Sequence, residues 1–142
     1  TRCSRDWSSD VCSSDLNIAA AVNFITAQRL TRRLCSCKQP IDLPLDMLLN
    51  AGFDESQLDG SPLYRAVGCD QCGGSGYKGR LGVYQVMPIT DAIETIIFAH
   101  GSALEFEAQA RRDGVRTLRE SGLLKVKQGL TTLEEIISCT NH

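Results

Sequence analysis

The sequence predicts an α+β fold that is mostly helical, with a small tetracysteine zinc subdomain and a C-terminal helical bundle. Two observations support this prediction. Two close pairs of cysteines lie 31 residues apart, and a series of capped helical segments fills the chain from Thr90 onward. The chain has 142 residues, which is enough for one ordinary domain or two small ones.

Composition and charge exclude several classes of protein. Hydrophobic residues make up 42% of the chain and charged residues 23%, which indicates a folded protein and not a disordered tail. The formal net charge is -2, so the chain lacks the excess positive charge on which general nucleic-acid binding depends. The longest nearly apolar stretch, residues 18–27, is too short to span a bilayer, and no transmembrane segment is predicted.

The first sixteen residues differ from the rest of the chain. The segment TRCSRDWSSDVCSSDL shows no helical or alternating periodicity, lacks the apolar region of a signal peptide and is similar to a translated sequencing-adapter sequence. We interpret residues 1–16 as a disordered or artefactual tail and leave them, with Cys3 and Cys12, out of the predicted fold. The remainder is then expected to be a fragment of a longer protein.

Residues 17–34 contain no Gly or Pro, and their alanines and aliphatic side chains favour a helix. On that helix Arg29, Arg32 and Arg33 would share one face. A solvated basic face is a better interpretation of these arginines than a phosphate-binding one, because charged side chains are mostly exposed.

Local signals predict the elements between residues 35 and 89. They are a short helix over 45–50 that ends before Gly52, a short strand over 63–67, a tight glycine-rich turn over 68–76 and an alternating strand over 80–87.

Four helices with clear start and stop signals are predicted after residue 89. The first is capped by Thr90 and ends near His100, and the third runs from about Thr117 to Gly129 and tolerates Gly122 at some cost. In a capping box, a Ser or Thr side chain and a Glu three residues later each accept the other's backbone N–H. Two such pairs are predicted, Ser102 with Glu105 and Thr132 with Glu135.

The cysteines of the remaining chain indicate a metal site. Cys35 and Cys37 form a C-x-C pair, and Cys69 and Cys72 form a C-x2-C pair. Each tight turn directs two thiolates to one point, so the two pairs provide the four sulfur ligands of tetrahedral Zn2+. Nearby Lys and Arg side chains would offset the negative charge of such a site. We predict a structural zinc, because four protein ligands leave no position for a catalytic water.

Three alternatives for these cysteines stay open. Disulfides suit a secreted protein, but no export signal is visible and a disulfide within C-x-C would close a strained ring. A redox C-x-x-C needs a low-pKa thiol at a helix start, for which Gly73-Gly74 is poorly suited. Four free thiols are the third alternative. Cys139 is interpreted as a small packing residue.

No catalytic or cofactor-binding residue is predicted in this sequence. The phosphate-binding pattern G-x-x-x-x-G-K-[ST] does not occur. A G-x-G-x-x-G match at residues 74–79 lies inside the cysteine turn and is discounted. Neither His100 nor His142 has a Ser or Cys partner that the sequence places beside it for nucleophilic catalysis.

Ordered motifs give residues 17–142 a specific resemblance to a known family. The motifs are the segment 17–35, Gly68-Cys69-x-x-Cys72, GRLGVYQVMPI at 79–89, Thr117-Leu118-Arg119 and GLTTLEE at 129–135. In this order they resemble the region after the nucleotide-binding core of type II secretion and type IV pilus assembly ATPases, closest to the pilus branch. One departure is the first cysteine pair, which is usually C-x2-C in that family.

The resemblance implies the C-terminal part of a RecA-like, hexameric ATPase of the bacterial cytoplasm, peripheral to the inner membrane. Such a motor docks on an inner-membrane platform protein, and ATP hydrolysis drives domain motions that load pilin subunits into the fibre. The family's ATP and Mg2+ motifs lie upstream of Asn17, so this fragment alone is expected to be inactive. Only the tetracysteine zinc motif carries over, onto Cys35, Cys37, Cys69 and Cys72.

The resemblance also implies a division of the chain. Residues 17–34 would be the last helix of the truncated nucleotide-binding core, 35–89 a zinc-binding subdomain and 90–142 a C-terminal helical subdomain. A zinc-dependent chaperone or interaction module is the alternative, because residues 69–76 match the C-x-x-C-x-G-x-G repeat of DnaJ-type proteins. Those proteins carry four such repeats, and this chain has one.

Overall fold

The computed structural model describes residues 21–58 and 60–141 and shows an α+β fold over them. Predictions for residues 1–20 and for His142 lie outside the described residues. The elements in chain order are β1 (Phe24–Leu34), β2 (Gln39–Ile41), α1 (Leu45–Ala51), β3 (Leu63–Arg65), β4 (Tyr77–Pro88), α2 (Asp91–Phe98), α3 (Ala103–Arg112), α4 (Leu118–Lys127) and α5 (Leu133–Thr140), with short 3-10 helices at Glu55–Gln57 and Asp70–Cys72.

The helix predicted over residues 17–34 is wrong where the structure describes it from Phe24 onward. Residues 24–34 form strand β1, which pairs with β4 in a two-stranded sheet. Near one end Ile89 N–H donates to Asn23 O at 2.8 Å, and near the other Cys35 N–H donates to the carbonyl of residue 76 at 3.0 Å. The two strands therefore run antiparallel.

The helix was predicted in place of β1 because residues 17–34 contain no Gly or Pro. That absence is as compatible with a strand as with a helix. Phe24, Ile25 and Thr31 are aromatic or β-branched and suit a pleated strand. Successive side chains on a strand point to opposite faces, so Arg32 and Arg33 do not share the basic helical face that was predicted.

The chain forms two compact units that do not follow sequence order. The first holds the described part of Thr1–Thr26 with Val86–Val115, and the second holds Ala27–Gln85 with Arg116–His142. Strands β1 and β4 each contribute residues to both units. Helices α2 and α3 belong to the first unit and α4 and α5 to the second. The sequence-based subdomain boundaries at 34 and 89 stay a prediction.

The first unit confirms the predicted caps. Thr90 Oγ1 accepts the N–H of Ile93 at 3.4 Å, and Ile93 is fully buried. Ser102 N–H donates to the Glu105 carboxylate at 2.7 Å, and Glu105 N–H donates back to the Ser102 hydroxyl at 3.4 Å. This is the predicted capping box at the start of α3, and α3 packs on α2.

The second unit has an apolar core to which α1, β3, β4, α4 and α5 contribute. The short strands β2 and β3 pair antiparallel, with Pro40 opposite Tyr64. Gly52 follows the last residue of α1 in the left-handed conformation, as predicted. The buried core residues are Leu48, Ala51, Phe53, Leu63, Val83, Leu123, Val126, Leu133 and Ile136.

The capping box predicted for Thr132 and Glu135 is only half formed. Thr132 Oγ1 accepts the N–H of Glu135 at 3.4 Å, but the carboxylate turns to β1. It accepts the Thr31 hydroxyl at 3.2 Å, the Arg32 backbone N–H at 3.1 Å and the Arg32 Nε at 3.0 Å. The Arg32 guanidinium also lies 4.1 Å from the ring centre of Tyr77. A tertiary ion pair has replaced the reciprocal cap.

Replacing Glu135 with Gln is expected to lower the free energy of unfolding at pH 7 by about 1 kcal/mol, because a charge-assisted hydrogen-bond set is lost. Hydrogen bonds from Arg32 hold the pKa of Glu135 below its ordinary value, although burial opposes them. The stabilisation is therefore present above the unfolded-state pKa of about 4.3 and disappears as pH falls through the lower folded-state value. Urea unfolding at pH 7 and pH 3 measures both effects.

The matched control is Glu107→Gln, which removes the exposed ion pair between Glu107 and Arg111 on α3. Exposed i,i+4 pairs contribute little, so this variant should be as stable as the parent chain. A difference between Glu135→Gln and the parent that persists undiminished at pH 3 would contradict the charge-based account.

Candidate metal centre

The four cysteines that the sequence analysis singled out come from two tight turns. Cys35 and Cys37 follow β1 directly, and Cys69 and Cys72 lie just before β4. Pairing of β1 with β4 brings the turns side by side, because Cys35 N–H donates to Gly76 O at 3.0 Å. The long connection between the pairs, which includes β2, α1 and β3, leaves the first turn and returns to the second.

The sulfur atoms are spaced as tetrahedral metal coordination requires. All four Sγ atoms lie within 4.8 Å of one another. The Sγ–Sγ distances are 3.8 Å from Cys35 to Cys69, 3.8 Å from Cys69 to Cys72 and 4.0 Å from Cys37 to Cys72. Zinc–sulfur bonds of about 2.3 Å separate tetrahedral ligands by about 3.8 Å. The donor set and its geometry fit Zn2+.

The C-x-C pair reaches the cluster although it is one residue shorter than the resemblance leads one to expect. Lys38 N–H donates to Cys35 O at 3.1 Å and closes a tight turn. That turn places Cys35 beside Cys69 and Cys37 beside Cys72. The missing residue therefore does not separate the first pair of sulfurs from the second.

The second turn depends on glycine at two positions. Gly68 has a φ of 111°, and a Cβ there would lie 2.5 Å from Gly74 O. Gly76 has a φ of 77°, and a Cβ there would lie 2.6 Å from the Cβ of Ala66. Any other residue would be strained in backbone conformation and in contact, so both positions hold the turn closed.

Backbone N–H groups converge on the sulfur of Cys72. Burial acts to raise its pKa, but the N–H groups of Cys69 at 3.1 Å and Gly76 at 3.2 Å donate to it and help to lower the pKa to about 6. A backbone hydrogen bond from Cys37 likewise lowers the pKa of Cys35. Sequence reasoning did not identify these N–H donors, although the glycines after Cys72 are the signal for such a turn.

Cys37 behaves in the opposite way. Burial is the main cause that raises its pKa to about 11; a backbone hydrogen bond from Gly68 opposes it, and contacts with the other three cysteines add to it. Four thiolates this close repel one another, so all four lose their protons only when a cation lies between them. The cluster is therefore suited to a divalent metal ion.

Basic side chains lie beside the cluster, as expected for a site of net negative charge. Arg33 and Lys78 line a recess that also includes Cys35 and Ser36. Lys38 lines it too, but its Nζ lies 4.3 Å from the ring centre of Tyr64. These three basic residues are close to the cysteines in the sequence, and in the structure they lie on one side of the cluster.

The remaining described cysteine is not part of the centre. Cys139 lies in α5, packs against the core of the second unit and is 3.5 Å from Ile136 O, and burial raises its pKa. The five described cysteines form no disulfide. Within residues 21–58 and 60–141 no second group of three or more metal-ligating side chains comes together.

The fold and the cysteine cluster agree with a comparison to known families. The family model for type II/IV secretion system proteins matches residues 8–138. The chain therefore belongs to the type II/IV secretion system protein family. Across the described residues, no helix has both the length and the apolar character that crossing a bilayer requires.

Curated relatives include ATPases of pilus assembly and of secretion. The chain is 49% identical over 121 residues to the type IV pilus assembly ATPase PilB of Pseudomonas aeruginosa, covering 84% of this chain and 21% of that protein. It is 43% identical over 125 residues to PilB of Thermus thermophilus, covering 87% and 14%. It is 35% identical over 126 residues to the type II secretion system ATPase E of Vibrio cholerae, covering 88% and 24%. The chain thus spans at most about a quarter of these relatives.

Proposed function

We propose that this chain is the zinc-bearing C-terminal region of a hexameric ATPase that powers type IV pilus assembly. The observation that supports it best is a tetracysteine cluster with tetrahedral spacing in a member of the secretion family. Relatives from pilus assembly reach 49% identity, whereas relatives from type II secretion reach 38%, so pilus assembly is favoured over secretion.

In this proposal Cys35, Cys37, Cys69 and Cys72 hold a structural zinc. Bound Zn2+ supplies four bonds that tie the two turns together and adds no reaction chemistry, because four thiolates leave no position for water. Gly68 and Gly76 keep the second turn closed around its sulfurs. The cluster thereby fixes the ends of β1 and β4 and the connection that carries α1.

The proposal assigns ATP and Mg2+ to other parts of a longer protein. This chain contributes to assembly of the hexamer and to contact with an inner-membrane platform protein, on the cytoplasmic side of the membrane. The sequence has no phosphate-binding pattern with its lysine, so we expect no ATP hydrolysis by the chain alone.

The chaperone alternative has weaker support. Its pattern covers the eight residues 69–76, whereas identity to pilus assembly ATPases extends over 121 residues or more in the relatives described above.

A chimera tests the proposed function. The matching segment of P. aeruginosa PilB is replaced by this chain, and the chimera is expressed in a strain that lacks PilB. We expect surface pili to return to at least about a tenth of the normal amount, because the segments are 49% identical. Electron microscopy and immunoblotting of sheared pili provide the measurement.

Two further arms make the chimera decisive. Cys69→Ser with Cys72→Ser should abolish pili, whereas Cys139→Ser, which alters a cysteine outside the cluster, should not.

The same segment is also placed in the V. cholerae secretion ATPase. Restored secretion there together with no pili in P. aeruginosa would overturn the assignment to pilus assembly.

A further inference from the structure

The turn between α4 and α5 contacts the end of β1, directly before the first cysteine turn (residues 35–38). Leu34 N–H donates to Leu130 O at 2.8 Å, and the Thr131 hydroxyl donates to Arg32 O at 2.9 Å. Thr131 is fully buried and Leu34 is buried as well. The main chain thus enters the first cysteine turn from a strand end that residues far away in the sequence hold in place.

Lys38 adds a third contact at the other end of the first cysteine turn. Its Nζ donates to Gly129 O at 2.5 Å and lies 4.3 Å from the ring centre of Tyr64. Its backbone N–H donates to Cys35 O at 3.1 Å and closes the turn. Lys38 therefore connects the first cysteine turn to β3, which contains Tyr64, and to the turn between α4 and α5.

The neighbours of the Lys38 ammonium group leave little free space around it. Gly129 has a φ of 70°, and a Cβ there would lie 2.8 Å from two carbon atoms of the Tyr64 ring and 2.9 Å from Lys38 Nζ. Tyr64 lies opposite Pro40 in the pairing of β2 with β3. The ammonium group thus has a carbonyl acceptor on one side and an aromatic face on another, and these two partners fix its position.

The first cysteine turn has less internal support than the second. In the second turn, the N–H groups of Cys72 and Gly74 both donate to Cys69 O, at 3.2 Å and 2.9 Å. Among the described residues, a single backbone hydrogen bond, from Lys38 to Cys35, closes the first turn. The position of the first pair of sulfurs therefore depends on contacts outside its own turn.

Charge alone does not explain the placement of Lys38. Arg33 and Lys78 line the same recess beside the cluster and carry the same charge. Both are exposed, and within the described residues neither side chain forms a hydrogen bond or an ion pair. Any of these three bases can offset negative charge on the cluster, but only Lys38 of the three also has fixed partners.

We propose that Lys38 is a positioning residue of the metal centre. It anchors the first cysteine turn to Tyr64 and Gly129, and so keeps Cys35 and Cys37 beside the second cysteine pair before a metal binds. A ligand set that is already in place binds more tightly than one that must first be ordered. The inference rests on the structural zinc of the proposed function, and adds that the turn between α4 and α5 helps to set the affinity for zinc.

The test measures the zinc affinity of the full chain. Lys38→Met keeps the aliphatic part of the side chain and removes the ammonium group. We expect its dissociation constant for Zn2+ to rise at least about ten-fold, because loss of a group that orients metal ligands typically costs about 10–100-fold in affinity. Competition with a chromogenic chelator gives the dissociation constant, and metal analysis at saturation should still give about one zinc per chain.

Lys78→Met is the matched control, because it removes the same charge from the same recess without removing a fixed contact. It should leave the dissociation constant within about two-fold. Tyr64 provides a second pair of variants. Tyr64→Phe keeps the aromatic face and should bind zinc as the parent chain does, whereas Tyr64→Leu should weaken binding. In the Lys38→Met background Tyr64→Leu should add little, because both substitutions remove the same contact.

Cobalt separates positioning from ligation. At saturating Co2+, Lys38→Met should retain the absorption spectrum of a metal bound by four thiolates, whereas Cys69→Ser with Cys72→Ser should lose it. Loss of that spectrum in Lys38→Met would contradict a purely positioning role. Circular dichroism checks that each variant is folded, and if Lys38→Met does not fold, the comparison of Tyr64→Leu with Tyr64→Phe decides the question.

Three further results would overturn the proposal. Equal weakening in Lys38→Met and Lys78→Met would reduce the effect to charge. Unchanged affinity in Lys38→Met, or equal affinity in Tyr64→Leu and Tyr64→Phe, would show that the contact does not hold the first cysteine turn, and would leave the structural zinc intact. Absence of zinc from the parent chain would instead contradict the zinc assignment itself, and the proposal with it.

Discussion

Removal of zinc is expected to abolish hydrogen-exchange protection in the two cysteine turns while helices α2 and α3 stay protected. Residues 66–76 bury only Gly76, so little apolar contact orders the turn. Its amides depend on acceptors within the cluster: Gly76 N–H donates to Cys72 Sγ at 3.2 Å and Gly74 N–H to Cys69 O at 2.9 Å. Structural zinc contributes about 10–16 kcal/mol to the folding of zinc-finger peptides, which exceeds anything these contacts supply.

The measurement compares the zinc-loaded chain with the chain after treatment with a chelator. Metal analysis should give about one zinc per chain before treatment, and close to none in Cys69→Ser with Cys72→Ser. Protection at Gly74 and Gly76 should fall at least about 100-fold without metal, because their acceptors are no longer fixed. Val115, whose N–H donates to Ala110 O at 2.9 Å in the first unit, serves as the internal control.

Cys139→Ser is the matched variant for this experiment, because it removes a half-buried thiol outside the cluster. It should retain one zinc and normal protection. Unchanged protection at Gly74 and Gly76 after verified metal removal would contradict a structural role for the ion. Loss of zinc in Cys139→Ser as well would indicate nonspecific thiol binding.

Features encoded within a few residues were predictable from the sequence. Thr90 and Ser102 cap helices because their side chains accept N–H groups three residues ahead. Thr90 Oγ1 also donates to Asp113 at 3.1 Å, and a hydroxyl that donates one bond still has lone pairs with which to accept the cap bond. The cysteine cluster was predictable because each pair is a local turn. That the two turns meet was predicted from metal chemistry, because one Zn2+ needs all four sulfur ligands around it. No predicted helix or strand required the turns to be close.

Features that depend on distant partners were not predictable in the same way. Strand β1 is defined by its pairing with β4, more than forty residues later, and its own composition does not distinguish strand from helix. Glu135 had two possible roles, a local cap and an ion pair with Arg32, 103 residues away. A charge-assisted set of bonds to Arg32 and Thr31 outweighs one backbone N–H, and only the tertiary structure brings those donors within reach.

The role of Gly122 also depends on a residue of another helix. Replacement of Gly122 by Val is expected to destabilise the chain by at least about 2 kcal/mol. On helix propensity alone Gly122 is a weak point of α4, where another residue would be favoured by up to about 1 kcal/mol. The structure reverses that expectation. A Cβ at Gly122 would lie 2.7 Å from Cγ2 and 2.9 Å from Cδ1 of Ile136, which is fully buried where α5 packs on α4.

A double-mutant cycle separates this contact from a general effect of valine. Ile136→Ala alone should cost about 2–5 kcal/mol, because it leaves a cavity in the core. Adding Gly122→Val to Ile136→Ala should restore part of that loss, since the valine then fills space that Ile136 has vacated. The same substitution thus lowers the free energy of unfolding in the parent chain and raises it in the Ile136→Ala background. Ser121→Val, on the half-exposed side of α4, is the control and should show no such reversal. Urea unfolding of the four combinations measures the cycle, and additive effects of the two substitutions would show that Gly122 and Ile136 do not limit each other.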